Sequence, residues 1–225
     1  MRDSARKMKM KLRTGAIYLL VTAISCAIAG PTKKISSTGS PPSNVKDDMK
    51  NVIAMIPKER FFELANKHLK YDVGFQAAIK YFNSLEWQRI SDIIRKNPDW
   101  QKFKQFLTNL GIDINKYLKC LEAFLEQAEV PQDVPEDAQR DLKPFLADLE
   151  ESLPVAKILA KINERIMNNP QFHVMYDELS SPESRALVEN VRAIPEFVQM
   201  IASLNDMGIQ VDDIISAFYV FLGWE

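Results

Sequence analysis

The stretch NPDWQKFKQFLTNLGIDINKYLKCLEAFL, residues 97–125, recurs as IPEFVQMIASLNDMGIQVDDIISAFYVFL, residues 194–222. Pro98, Gly111, Ile112, Phe124 and Leu125 return as Pro195, Gly208, Ile209, Phe221 and Leu222, each 97 positions further on. Each copy reads as helix, glycine turn, helix. Proline is tolerated in the first turn of a helix, where an N–H has no intrahelical partner, and glycine supplies the left-handed residue that ends one. The chain is read outward from this twice-used hairpin.

Four further helices precede the first hairpin. Met49, Val52, Ile53 and Ile56 fall at helical spacing behind Asp47 and Asp48, whose charge suits the positive end of a helix dipole. Pro57 starts a second helix carrying Phe61, Phe62, Leu64, Ala65 and Leu69. Asp72 caps a third, with Phe75, Ala78, Ile79 and Phe82 on one face, and Ser84 caps a fourth, with Trp87, Ile90, Ile93 and Ile94. Asn97 and Pro98 open the fifth helix, Gly111 ends it, and Asp113 caps the sixth. Apolar residues alternate over no long window, so no strand is expected.

Residues 129–140, EVPQDVPEDAQR, combine two prolines and four acids with few apolar groups and read as a linker. Beyond it the plan repeats at the same offset. Met49, Val52, Ile56 and Pro57 meet Leu146, Leu149, Leu153 and Pro154, and Phe75, Phe82, Ser84 and Glu86 meet Phe172, Leu179, Ser181 and Glu183. The sequence therefore predicts an all-α protein with one six-helix repeat over residues 47–128 and another over 141–225. A unit this long is no solenoid repeat, and two copies would close on each other about a pseudo-two-fold axis. The last helix, with Ile214, Ile215, Ala217, Phe218, Tyr219, Val220, Phe221 and Leu222, is apolar nearly all round and is expected to be enclosed on several sides. Its alignment with an interior helix and its charged end at Glu225 argue against a lipid-anchor tail.

Residues 1–29 read as a secretory signal peptide: basic residues as far as Arg13, an apolar run from Ile17 to Ala29, and the small-residue site Ala27-Ile28-Ala29. That run of 13 residues is short for a membrane span, which needs ~20. An uncleaved signal anchor is the competing reading, and Met8 or Met10 are alternative starts. Residues 30–46, rich in Ser, Pro, Gly and Thr, read as a disordered leader. Residues 1–29 hold six of the 29 basic side chains and one of the 30 acids, which leaves 23 against 29 and a net charge of −6 in the remainder. An acidic chain without a basic run is unsuited to nucleic acid, where phosphates must be neutralised. With Cys26 in the signal, Cys120 stands alone and reads as a small buried hydrophobe beside Tyr117 and Phe124.

Signatures of chemistry are sparse. The chain carries no GxGxxG, P-loop, HExxH, CxxC or GxSxG pattern. His68 and His173 are not repeated and lack a second histidine at ligand spacing, so they read as solvent-facing or capping residues rather than metal ligands. Asp92, Glu122, Asp212 and Asp213 read as solvated helix faces. No catalytic residue, metal or cofactor is expected.

What remains is apolar surface, including the aromatics Phe75, Phe82, Phe103, Phe106 and Phe218, which read as buried. It serves either a packed helical core or a cavity for an apolar ligand, and periodicity does not separate the two. If a cavity is present, its candidate lining in the first repeat is Phe62, Leu69, Phe75, Ile79, Phe82, Ile90, Ile94, Phe103, Leu107, Leu118, Leu121 and Leu125. In the second repeat it is Leu159, Ile162, Ile166, Phe172, Leu179, Leu187, Val191, Met200, Leu204, Ile215, Phe218 and Leu222.

Three segments carry a family resemblance: DDMKNVIAMIP (residues 47–57), the 97–125 hairpin, and IPEF with MGIQVDDI in the second copy. Together they resemble the insect allergen-related repeat family, which includes cockroach group 1 allergens, midgut microvillar proteins of blood-feeding flies and butterfly nitrile-specifier proteins. The second copy departs from the pattern at Glu150, Glu151 and Gln210. The resemblance implies two repeats wrapped into a helical shell around an apolar cavity that holds fatty acids or phospholipids. It also implies secretion to the midgut lumen or microvillar surface, with peripheral association with that membrane. The family also suggests two other roles, a nitrile-specifier-like detoxification protein or a structural midgut protein without ligand. The specifier relatives usually carry three repeats, against the two read here.

Overall fold

A computed structural model describes residues 55, 57–110, 112 and 114–224. The signal, the leader, the first predicted helix, Gly111 and Asp113 lie outside the described residues. Among those described, the chain forms eleven α-helices and no strand. They are α1 (Lys58–Tyr71), α2 (Val73–Phe82), α3 (Leu85–Lys96), α4 (Pro98–Asn109) and α5 (Ile114–Gln127), followed by α6 (Lys143–Ser152), α7 (Val155–Asn168), α8 (Pro170–Leu179), α9 (Pro182–Arg192), α10 (Pro195–Asp206) and α11 (Val211–Leu222).

Helix starts are set by the capping residues. The Phe75 amide donates to the Asp72 carboxylate at 3.0 Å, the Trp87 amide to the Ser84 hydroxyl at 3.2 Å, and the Asp99 amide to the Asn97 side chain at 2.8 Å. Each bond satisfies one of the donors that a helix leaves unpaired at its start. The starts at 58, 73, 85, 98 and 114 have counterparts at 155, 170, 182, 195 and 211, each 97 residues later.

Helix ends in the two hairpins match as well. After α10, the Gly208 amide donates to the Asn205 carbonyl and the Ile209 amide to the Leu204 carbonyl, both at 2.9 Å, with Gly208 at φ +97°. This is a Schellman motif, and Leu204 and Ile209 pack together against the larger core. After α4, the Ile112 amide donates to the Leu107 carbonyl at 2.9 Å, the corresponding bond.

Two apolar clusters hold the helices. The larger gathers Phe61, Leu64, Ala65 and Leu69 of α1, Phe75, Ala78, Ile79 and Tyr81 of α2, Phe145 and Leu149 of α6, and Ile158 of α7. Its aromatic centre is Phe145, whose ring lies 4.7 Å from Phe75 and 5.8 Å from Phe61. Thus α6 packs on α1, not only on its sequence neighbours. The smaller cluster joins Ile90, Ile94 and Trp100 to Val191 and Ile194. Here α3 packs on α10 and α9 packs on α4, a crossed and reciprocal arrangement.

Residues 128–142 form no helix, yet they are pinned along the surface of α2. Val134 is buried, Lys80 donates to its carbonyl at 3.3 Å, and the Arg140 guanidinium lies 3.7 Å from the centre of the Tyr81 ring. The Asp141 and Leu142 amides then donate to the carbonyls of Gly74 and Met207.

The last helix differs from expectation. In α11 only Leu222 is buried, while Val220 and Phe221 are 43% and 42% exposed. Apolarity all round was read as enclosure, but it fixes only what the helix would bury if a neighbour were present. Of the aromatics expected to be buried, Phe75 is, whereas Phe82, Phe103, Phe106 and Phe218 are half-buried.

Candidate apolar ligand site

The described apolar candidates divide between the two clusters and the helices outside them. Phe62, Leu69, Phe75, Ile79, Phe82, Leu121, Leu125 and Leu204 belong to the larger cluster, and Ile90, Ile94, Phe103, Leu118, Val191 and Met200 to the smaller. Leu107 and Leu222 are buried outside both, and Leu179, Leu187, Ile215 and Phe218 are half-buried on α8, α9 and α11. The side chains of Leu159, Ile162, Ile166 and Phe172, like that of Cys120, lie outside the described set.

Apolar surface remains exposed on the last helix, as it does elsewhere at Leu85, Met167 and Tyr71. Nine of the twelve residues of α11 are apolar, and the helix packs on α10 with side-chain support from α8 and α9. The Phe221 ring meets Tyr176 edge-on at 5.4 Å, and the Tyr176 hydroxyl donates to the Phe221 carbonyl at 2.9 Å. Val174 of α8 is 62% exposed.

This end is anchored by residues the sequence reading did not single out. Gly223, at φ +68°, and Trp224 close α11 in a second Schellman motif, with the Trp224 amide donating to the Tyr219 carbonyl at 2.9 Å. The accompanying apolar contact is the Tyr219–Trp224 ring pair at 5.2 Å, and the Trp224 indole donates to the Ser180 carbonyl at 3.0 Å. A glycine followed by a large apolar residue just past an apolar helix was the available signal. The Tyr219 hydroxyl donates to Glu189 at 2.7 Å and accepts from Arg192 at 2.9 Å. Burial, and then the bond to Glu189, push its phenol above the ordinary value against the pull of Arg192.

His68 corrects the expectation of a solvent-facing or capping histidine. It is buried, 6% exposed, between the rings of Phe75 and Phe145. Its Nδ1 lies 2.8 Å from Asp72 and its Nε2 lies 3.2 Å from Asp148 of α6, so it ties α1 to α6. Lys67 donates to the same Asp148 oxygen at 2.7 Å, and this bond, with that of His68 behind it, holds the Asp148 carboxyl below the usual carboxylate range. His173 does face solvent. Among the described residues no group of three or more His, Cys, Asp or Glu side chains is placed to hold a metal ion.

A surface groove of about 370 Å³ lies between α1 and the segment after α5, lined by Asn66, Leu69, Lys70, Gln127, Glu129 and Pro131. Of the described apolar candidates only Leu69 lines it. No helix among the described residues is long and apolar enough to cross a membrane.

This all-helical chain, with its helix starts repeated at one spacing, belongs to the insect allergen related repeat family. The family pattern, described as an insect allergen related repeat with nitrile-specifier detoxification, matches residues 44–215. The chain is also similar to Protein G12 of Anopheles gambiae, 21% identical over 222 residues that cover 96% of this chain and the whole of that protein.

Proposed function

We propose that this chain is a secreted, non-catalytic carrier of fatty acids or phospholipids. In this reading its two groups of helices are repeats that close about a pseudo-two-fold axis, with apolar space between them for the ligand. The observation that carries it is α11, a helix of nine apolar residues with only Leu222 buried. Such a face is unfavourable in water and gains ~25 cal/mol for each Å² of apolar surface that an acyl chain covers. Apolar burial of this kind needs no polar recognition, which accords with a ligand held without specificity. The signal read over residues 1–29 supports export, and peripheral association with the microvillar membrane would place the carrier beside its source of lipid.

The test is a thermal-shift titration of the purified chain with palmitate, alongside Phe218→Asp. Palmitate should raise the melting temperature of the wild type, and the variant should lose most of that rise. No rise in the wild type at saturating palmitate would sink the carrier reading.

A second reading is favoured by the family description itself, a nitrile-specifier-like activity in detoxification. Product analysis with myrosinase and a glucosinolate separates the two. A nitrile yield dependent on this chain supports the second reading, and an unchanged isothiocyanate yield removes it.

A further inference from the structure

The groove between α1 and the segment after α5 carries two opposite charges that do not pair. Lys70 and Glu129 both line it, and no ion pair joins them or ties either to another described residue. The Lys70 ammonium instead stands 5.1 Å from the centre of the exposed Tyr71 ring. Asn66 and Gln127 bring two exposed carboxamides to the same groove, while Leu69, 8% exposed, and Pro131 supply apolar contact.

Both walls are fixed from behind. The buried Gln76 side chain donates to the Leu69 carbonyl at 2.7 Å, which braces the last turn of α1. Asn83 donates to the Leu125 carbonyl at 3.1 Å, which braces the end of α5. The chain beyond Glu129 is tied down by Lys80 at the Val134 carbonyl. The backbone that carries Lys70 and Glu129 is therefore positioned without a ligand, while their exposed side chains are free to turn to one.

We propose that this groove binds a zwitterion: an amine and a phosphate or carboxylate joined by a short carbon chain. Charge balance selects that class. A simple anion drawn to Lys70 meets Glu129, and a simple cation drawn to Glu129 meets Lys70. A molecule with both signs satisfies both side chains, its carbons lie on Leu69 and Pro131, and its remaining polar atoms meet Asn66 and Gln127. At about 370 Å³ the groove falls at the lower end of the range for small-molecule sites, the scale of a headgroup rather than of acyl chains. The site is separate from the apolar surface of α11 and does not depend on lipid being carried there. The same chemistry occurs in a free zwitterion and in a phospholipid headgroup on a membrane.

The probe is phosphoethanolamine, titrated into the full chain with amide resonances as the readout, and inorganic phosphate and ethanolamine as single-charge controls. Contacts between exposed charges are weak, so a dissociation constant of about a millimolar is expected, with shifts confined to residues near 66–71 and 127–131. Lys70→Gln and Glu129→Gln should each weaken binding about fivefold at an unchanged melting temperature, and the exchanged pair Lys70→Glu with Glu129→Lys should recover it. Sedimentation with phosphatidylethanolamine–phosphatidylcholine vesicles assigns the source. Pelleting lost in the exposed-charge variants supports a membrane headgroup, and retained phosphoethanolamine binding without pelleting supports a free zwitterion. No localised shifts with phosphoethanolamine, or equal shifts with phosphate or ethanolamine alone, would overturn the proposal.

Discussion

Trp100 of α4 and Phe197 of α10 stand 97 residues apart in the chain, and their ring centroids lie 6.5 Å apart with planes inclined by 34°. They hold corresponding places in the two hairpins, and each sits in or against the cluster formed by Ile90, Ile94, Val191 and Ile194. Phe61 and Ile158, also 97 residues apart, both belong to the larger cluster.

This pairing can be measured by a double-mutant cycle. Trp100 is 9% exposed, and Trp100→Ala should cost about 3 kcal/mol in urea denaturation. Phe197→Ala, at a half-buried position, should cost less. The ring pair should show a coupling of about 0.5–1 kcal/mol. Strictly additive losses would mean that the rings are neighbours without being partners.

Gly208 is held at φ +97°, and a Cβ there would run into the aliphatic stem of Lys143. Gly208→Ala should destabilise the fold by about 1–2 kcal/mol, from backbone strain with a steric addition. Adding Lys143→Ala should return only the steric part. Gly223, at φ +68° with open space around its Cα, should show backbone strain alone. Equal melting temperatures for wild type and Gly208→Ala would contradict this account of the hairpin.

Asp148 predicts a limb in the acid stability profile. Its carboxyl is held below the usual range by Lys67 and His68, so the folded chain binds that proton less tightly than the unfolded chain does. The contribution is present above the unfolded value of about 4 and is lost as pH falls through the lower folded value. Asp148→Asn should therefore melt earlier than wild type near pH 6, and the two should converge as pH falls below about 4. A constant difference across that window would remove Asp148 from the account.

Tyr219 predicts the opposite limb. Its raised phenol gives stability that is present below about pH 10 and lost as pH rises through the folded value. Spectrophotometric titration should find a phenol that ionises above the ordinary tyrosine value and is absent in Tyr219→Phe. That variant should also lose about 1 kcal/mol near neutral pH with its bonds to Glu189 and Arg192. A wild-type titration without a late phenol would contradict the described environment.

The helices were legible where one residue settles the local backbone. Asp72 and Ser84 could be read as caps, and Asn97 as a helix start, because the hydrogen bond each makes is to an amide two or three residues away. Gly208 could be read as a helix end for the same reason. Partnership across the chain was not legible. His68 meets Asp148 over a separation of 80 residues, and nothing near either position announces the other. The reciprocal packing of α3 on α10 and α4 on α9 likewise lies beyond any periodicity. The misreading of α11 has the same origin, since its sequence records how apolar each face is and not what covers it.

The most direct measurement is solvent extraction of the purified full chain, with the extract identified by mass spectrometry and followed by binding of a fatty-acid series to the stripped protein. The account predicts co-purified fatty acid or phospholipid, and a dissociation constant that falls about fourfold for each added methylene, since each contributes about 0.8 kcal/mol when buried. An extract free of lipid, together with affinities that do not change with chain length, would contradict it.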